Sequence, residues 1–326
     1  MTGQKQEKEF FQINYLTQIK IANLNGDEGI GGNITTIKKI KGFDNEQYVY
    51  ISGQALRRYM KDTLHQLGEN LTAVNEAGNP KLEGVLKSNK KGKNTEIIKG
   101  KHKNLITDVI DLDLFGYMLP KEDGIYGRRW SPVKVSPAVS LLKYNGHKDY
   151  LTRKQDTKGK GKSGNIVQVE VDTFNFMNGS ILIDTSAIGN LINEYTYEIE
   201  KVLDKDKKNS RINKLIEAIK NLNGGAKQAR LLNDFSFKFV IVTNQKYGNP
   251  FLLNTFTIKI NDKGGVNLNL DPIIEAIKEF KYTTNSISVG LRSDIFKNEP
   301  IIRKRIKEET DIEVTTINQS LDTLKK

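Results

Sequence analysis

The 326-residue sequence contains no cysteine, which excludes disulfides, a zinc ribbon and thiol catalysis. Its three histidines, His65, His102 and His147, lie far apart and none has a partner at ligand spacing. Neither a histidine-based nuclease nor a metal centre is expected, and no cofactor is implied. No apolar run reaches the length of a membrane span. The polar opening MTGQKQEKEF is no signal peptide. The expectation is a soluble, cytoplasmic chain without a membrane partner. Hydrophobic residues make up only 37%, so long polar insertions into a modest core are expected.

What is plentiful is positive charge. Lys and Arg number 51 against 39 Asp and Glu, a formal +12. That excess favours a polyanionic partner. The lysines are clustered. Lys87–Lys103 carries seven of them with one glutamate, and reads as a basic loop.

The apolar pattern predicts an α+β fold. Phe11, Ile13, Tyr15, Ile19 and Ile21 alternate with Gln12, Asn14, Gln18 and Lys20, as in a half-buried strand. Ile34–Ile40 and Tyr48–Ile51 are strand-like. Ser52 is placed to cap a helix with apolar positions Leu56, Tyr59, Met60 and Leu64. Alternation returns at Val167–Val171 and Ile181–Ile183. Helical spacing follows in Ala187–Leu203 and in Ile212–Leu222. Phe235–Ile241 is another strand, and Phe256–Leu270 a hairpin followed by an Asp271-Pro272 helix start. Residues 69–165 read as one long insertion. The order fits a βαββαβ, ferredoxin-like core.

Four stretches suit a phosphate backbone. Asn25–Asn33 is glycine-rich, so its amides can converge on an anion, and Lys38, Lys39 and Lys41 follow at once. SGQALRR sets Ser52 and Gln54 at a helix N-terminus, with Arg57 and Arg58 beside the apolar stripe. GGAKQAR offers Gly224, Gly225, Lys227, Gln228 and Arg230. Arg128 and Arg129 adjoin Trp130, where rings and guanidinium groups can stack on bases. Each has a plainer reading: a glycine turn, a serine cap with solvated arginines, a helix stop, a core tryptophan. DTKGKGKS at 156–163 nearly matches a phosphate-binding NTPase loop, but lacks the first glycine and the flanking strand and helix.

NLNGDEGIGGNITT (Asn23–Thr36), YVYISGQALRRYM (Tyr48–Met60), DLFGYM (Asp113–Met118), RRWSPVKVSP (Arg128–Pro137) and the run IVQVEVDTFNFMNGSILIDTSAIG near 166–190 together resemble the DevR-type autoregulator family. These are the guide-RNA-binding backbone subunits of type I-B CRISPR surveillance complexes. The resemblance covers most of the chain and is weak in the basic loops and the last thirty residues. It implies an RNA-recognition-motif-like palm at about 8–68, 166–204 and 235–326. Fingers at 69–165 and a thumb-containing region at 205–234 would complete a single domain. It implies binding without catalysis. The partners would be guide RNA, target DNA through the guide, further copies of the chain in a head-to-tail filament, and other subunits of the complex. RNA contacts are expected at Lys20, Asn33, Lys38, Lys39, Lys41, Ser52, Gln54, Arg57, Arg58, Arg128, Arg129, Gly224, Gly225, Lys227, Gln228 and Arg230.

Two alternatives stay open. One is a type III-like backbone ribonuclease using Asp27. The other is the guide-processing endonuclease of the same fold, although Lys297–Lys326 lacks the glycine and histidine expected of it.

Overall fold

Alternating side chains make the first strand, and its two faces found two separate cores. The computed structural model describes residues 8–26, 34–73, 103–119, 127–152, 166–193 and 196–326. In chain order they form β1 (Phe10–Ala22), β2 (Ile34–Thr35), β3 (Lys39–Lys41), β4 (Gln47–Ile51), α1 (Gly53–Gln66), α2 (Ile110–Phe115), β5 (Tyr117–Leu119), β6 (Gly127–Arg129), β7 (Val133–Val135), β8 (Ala138–Ser140), β9 (Lys148–Thr152) and β10 (Ile166–Glu170). Then come β11 (Asp172–Asp184), β12 (Asn190–Ile192), β13 (Ile199–Lys201), α3 (Lys205–Lys220), β14 (Phe237–Gln245), β15 (Thr257–Ile260), β16 (Val266–Asn269), α4 (Asp271–Phe280), β17 (Thr284–Leu291), α5 (Glu299–Thr310), β18 (Val314–Thr315) and α6 (Ile317–Asp322).

β1 lies between β11 and β14, antiparallel to both, and β7 and β8 pair with the far side of β11. The chain thus runs β1, α1, β7–β8, β11, α3, β14, in the spatial order fourth, first, third, second. That is the βαββαβ arrangement expected from the sequence, widened by β17 and β18 on one side and by β4 and β3 on the other. Phe11, Ile13, Tyr15 and Ile19 pack on one face with Leu56, Met60 and Leu64 of α1 and Ile212, Leu215, Ile216 and Ile219 of α3. The other face carries Leu16, Phe176, Phe239 and Ile241 under Ile273, Ile274 and Ile277 of α4 and Ile302 and Ile306 of α5.

Four expectations need correction. β1 is not half-buried along its length, because Gln12 and Asn14 are also fully buried beneath the second layer. The span 69–165 is not one continuous excursion, because β7 and β8 supply the second strand of the palm. The region 205–234 is not separate from the palm, since the apolar stripe of α3 is part of the first core. Ala187–Leu203 is not a helix. Gly189 takes φ +69°, the Ala187 carbonyl accepts from the Asn190 amide in a turn at 3.3 Å, and the Arg129 guanidinium donates to the carbonyls of both Ala187 and Asn190. Instead β12 (Asn190–Ile192) pairs antiparallel with β13 (Ile199–Lys201).

The buried helix α2 anchors what remains of the insertion. Asp111 accepts from Lys61 Nζ at 2.9 Å, and from the amide and hydroxyl of Thr72 at 3.0 Å each. Asp113, with no exposure, accepts from Arg129 at 2.6 Å, from Arg211 at 2.7 Å and from the Gly189 amide at 3.0 Å. A buried carboxylate is tolerable only with such partners. Among the described residues, no helix is long and apolar enough to cross a membrane.

Candidate nucleic-acid interface

In a bare RNA-recognition motif, bases stack on the helix-free face of the sheet. Here Phe176 and Phe239 on that face are buried under α4 and α5, so the flat sheet is closed to RNA. The open chemistry is at the end of the sheet where β1 stops.

There the chain leaves β1 as Asn23-Leu24-Asn25-Gly26, and each residue is held by another stretch. The Asn23 carbonyl accepts from the Ala226 amide at 2.8 Å, and its side-chain amide donates to the Glu170 carbonyl at 2.8 Å. The Tyr59 hydroxyl donates to the Leu24 carbonyl at 2.6 Å. Asn25 accepts from the Ser52 amide at its side chain (2.9 Å) and from the Lys38 amide at its carbonyl (3.1 Å). Gly26 bridges to Ile37. The Glu170 carboxylate takes the Ile37 amide at 3.1 Å and Lys39 Nζ at 2.6 Å. Three of the stretches singled out by sequence, those at 23–41, 52–58 and 224–230, therefore meet at one place.

Ser52 caps α1, its hydroxyl accepting from the Ala55 amide at 3.2 Å. A Cβ on Gly53 would lie 2.3 Å from the Val135 carbonyl oxygen, so glycine lets the helix start press against β7. Burial pushes the Tyr59 phenol up. The 224–230 loop rests on Tyr59 through Gly224. Gly225 (φ +113°) and Lys227 (φ +57°) turn it so that the Lys227 carbonyl accepts from the amides of Arg230 and Leu231 at 2.9 Å. Gln228 donates to Asn223 at 3.3 Å.

The structure sorts the expected cations. Lys20, Lys227 and Arg230 are exposed, and Lys38 half-exposed, with no side-chain partner among the described residues. Lys41 is exposed and reaches Asn45 at 3.3 Å, while Gln54 is exposed on the first turn of α1. Others are corrected. Lys39 is 20% exposed, committed to Glu170 and lying 4.7 Å over the Tyr144 ring. Arg57 donates to the Phe115 carbonyl and packs over that ring, and burial pulls its pKa down. Arg58 points outward to Asp62 at 2.9 Å. Arg129, 6% exposed, spends its donors on Asp113, Ala187 and Asn190. Arg57 and Arg129 each serve α2 and the segments around it, and neither is among the fully exposed cations.

Trp130 is not core. It is 66% exposed with the Arg128 guanidinium 4.8 Å over its ring. The pair adjoins β7 at the level of Ile183, near the start of β1 and far from Asn23–Gly26, so it belongs to a different surface. Asn33, with Asp27 and Glu28, lies outside the described residues, as do Lys90, Lys91, Lys93 and the 156–163 loop. Sequence reasoning missed the organising roles of Glu170 and Tyr59. Glu170 closes the polar alternation of β10, which was the available signal.

Among the described residues, no three His, Asp or Glu side chains gather where they could hold a metal ion. A comparison with curated protein sequences finds no match. Solved structures share the fold, among them two chains of surveillance complexes. A chain of a "CRISPR RNA-guided surveillance complex, pre-nicking" aligns with TM-score 0.60 and 10% identity, over 97% of this chain and 98% of its own. A chain of a "CRISPR RNA-guided surveillance complex" aligns with TM-score 0.57 and 12% identity, again over 97% and 98%. The family model for the CRISPR-associated negative auto-regulator DevR/Csa2 matches residues 16–263. That span runs from the middle of β1 to the turn of the β15–β16 hairpin and takes in every stretch that meets at Asn23–Gly26. The chain belongs to the CRISPR-associated negative auto-regulator DevR/Csa2 family.

Proposed function

We propose that this chain is a guide-RNA-binding backbone subunit of a type I CRISPR surveillance complex in the cytoplasm. Copies polymerise head-to-tail along one guide RNA and present it, with the other subunits, for pairing with target DNA. The observation that carries the reading is the convergence on Asn23–Gly26 of the α1 N-terminus, the 224–230 loop and the Lys38 segment, with cations around them that have no side-chain partner among the described residues. Backbone amides and lysines at such a place recognise phosphate and not base identity. A subunit that must accept any spacer needs that indifference, and leaves sequence reading to base pairing. A contact repeated along the RNA by a heterologous interface gives an open filament.

The chain holds RNA without cutting it. Filter binding with several unrelated RNAs across a salt series tests the first part. Equal affinities that fall steeply with salt are expected, and preference for one sequence would overturn the reading. RNA co-purifying with the protein should be a discrete species of repeat-plus-spacer length. Complementary RNA added to the assembled complex with divalent metal should stay intact. Regularly spaced cleavage lost in Asp27→Ala would move the chain to the ribonuclease class.

A further inference from the structure

β11 contains an outlier. Phe174, the third residue of this strand, takes φ +49°, a region that a bulky side chain rarely enters. The neighbours enforce it. Asn175 accepts from the amides of Leu142 and Phe176 at 3.0 and 2.9 Å and donates to the Leu142 carbonyl at 2.9 Å. Asp172 accepts from the Thr173 amide at 3.0 Å. The side chains on both sides are thereby fixed inward, and the Phe174 ring is turned out of the sheet and left 71% exposed. Strain held by its surroundings in this way is a common mark of a binding position.

Its place in the ladder gives the ligand. Ile19 pairs with Asn175 and Ile21 with Thr173, so Phe174 falls opposite Lys20, an exposed lysine with no partner among the described residues. Three residues further on, just past the end of β1, is Asn23, where the candidate interface begins. A flat apolar ring beside a free ammonium matches a nucleotide: the base stacks on the ring and the phosphate takes the lysine. Stacking is tolerant of sequence, because every base has a π face.

The geometry points to Phe174 as a nucleobase-stacking residue, paired with Lys20 as the phosphate contact of the same nucleotide. This rests on the proposed guide-RNA reading and adds a base contact to a grip otherwise made by amides and cations.

The test uses the full chain with a short RNA that one copy covers, and the same RNA carrying an abasic nucleotide at each position in turn. Wild type is expected to lose about five- to tenfold in affinity at one abasic position, in keeping with stacking. Phe174→Gly, which suits the positive φ and keeps the fold, is expected to bind normal RNA five- to tenfold more weakly and to be blind to that abasic position. Its melting temperature should equal or exceed the wild-type value. Phe174→Trp in a Trp130→Phe background should restore affinity, and RNA should quench its fluorescence. Lys20→Ala should lower the salt slope by about one and leave the abasic penalty in place. Undiminished binding by Phe174→Gly, or an unchanged abasic penalty in it, would overturn the assignment while leaving RNA binding by the chain intact. If Phe174→Gly bound the short RNA normally but failed to assemble on long RNA, the ring would be a protein contact and the assignment wrong. Failure of wild type to bind RNA at all would instead strike the functional reading itself.

Discussion

The backbone of Gly224 lies flat on the ring of Tyr59, so close that an added Cβ would sit 2.2 Å from the ring carbon Cγ. The same tyrosine donates to the Leu24 carbonyl and meets Phe235 edge-on, 5.8 Å between ring centroids. One side chain thus sets the distance between α1, the exit of β1 and the 224–230 loop. Gly224→Ala must push the loop off the ring, at a cost of about 1–3 kcal/mol by overpacking. RNA affinity should fall with it, because Lys227 and Arg230 move. Thermal unfolding and filter binding on the same preparation measure both.

Two adjacent arginines should behave oppositely. Arg129→Ala strips a donor set from the buried Asp113 carboxylate and should destabilise by about 3 kcal/mol. Arg128→Ala removes an exposed group stacked on Trp130 and should change stability by less than about 0.5 kcal/mol. Urea unfolding separates the two, and equal effects would contradict the placement of Arg129.

Desolvation raises the Asp172 pKa to about 6, against the partial relief given by Asn175 and the Thr173 amide. An acid with a raised folded-state value holds its proton more tightly folded than unfolded. Its influence therefore favours the fold at low pH, and stability falls as pH rises from about 4 to about 6, then levels. The loss at neutral pH is on the order of 2–3 kcal/mol for a group only 2% exposed. Asp172→Asn should recover part of it at pH 7 and flatten the slope between pH 4 and 6. Denaturant titrations at several pH values measure this.

The lysines around the interface should divide by their partners. Lys38→Ala, Lys227→Ala and Arg230→Ala together should lower the salt slope of RNA binding by up to about three and leave unfolding unchanged. Lys39→Ala should instead act on stability, by about 1–2 kcal/mol, because it leaves Glu170 without its ammonium partner. A binding defect in Lys39→Ala with unaltered unfolding would show that the pair opens to RNA.

Much of this was legible in the sequence. The serine cap of α1 and the β15–β16 hairpin follow from local chemistry. What stayed hidden was long-range. Arg57 and Arg129 read as surface charge because nothing near them in sequence shows that α2 is buried. The strands β7 and β8 read as insertion because each is three residues long, too short for a period to declare itself. Ala187–Leu203 carried helical spacing by coincidence, and the Arg129 guanidinium that claims its carbonyls comes from 58 and 61 residues away. Phe174 was invisible because a strand pattern says which face a residue takes, not that its backbone has left the strand region.

The clamp of Thr72 on Asp111 closes the stretch between them at its base. Each hydrogen bond of the clamp is worth about 0.5–1.5 kcal/mol, and more where the acceptor is charged. Beyond it, Leu105 and Ile106 are fully buried and the Ile106 carbonyl accepts from Arg211, so the chain entering α2 is tied to α3 as well. The clamp and this buried pair hold the two sides of the stretch independently, so a change at Thr72 loosens its entry while its return stays fixed.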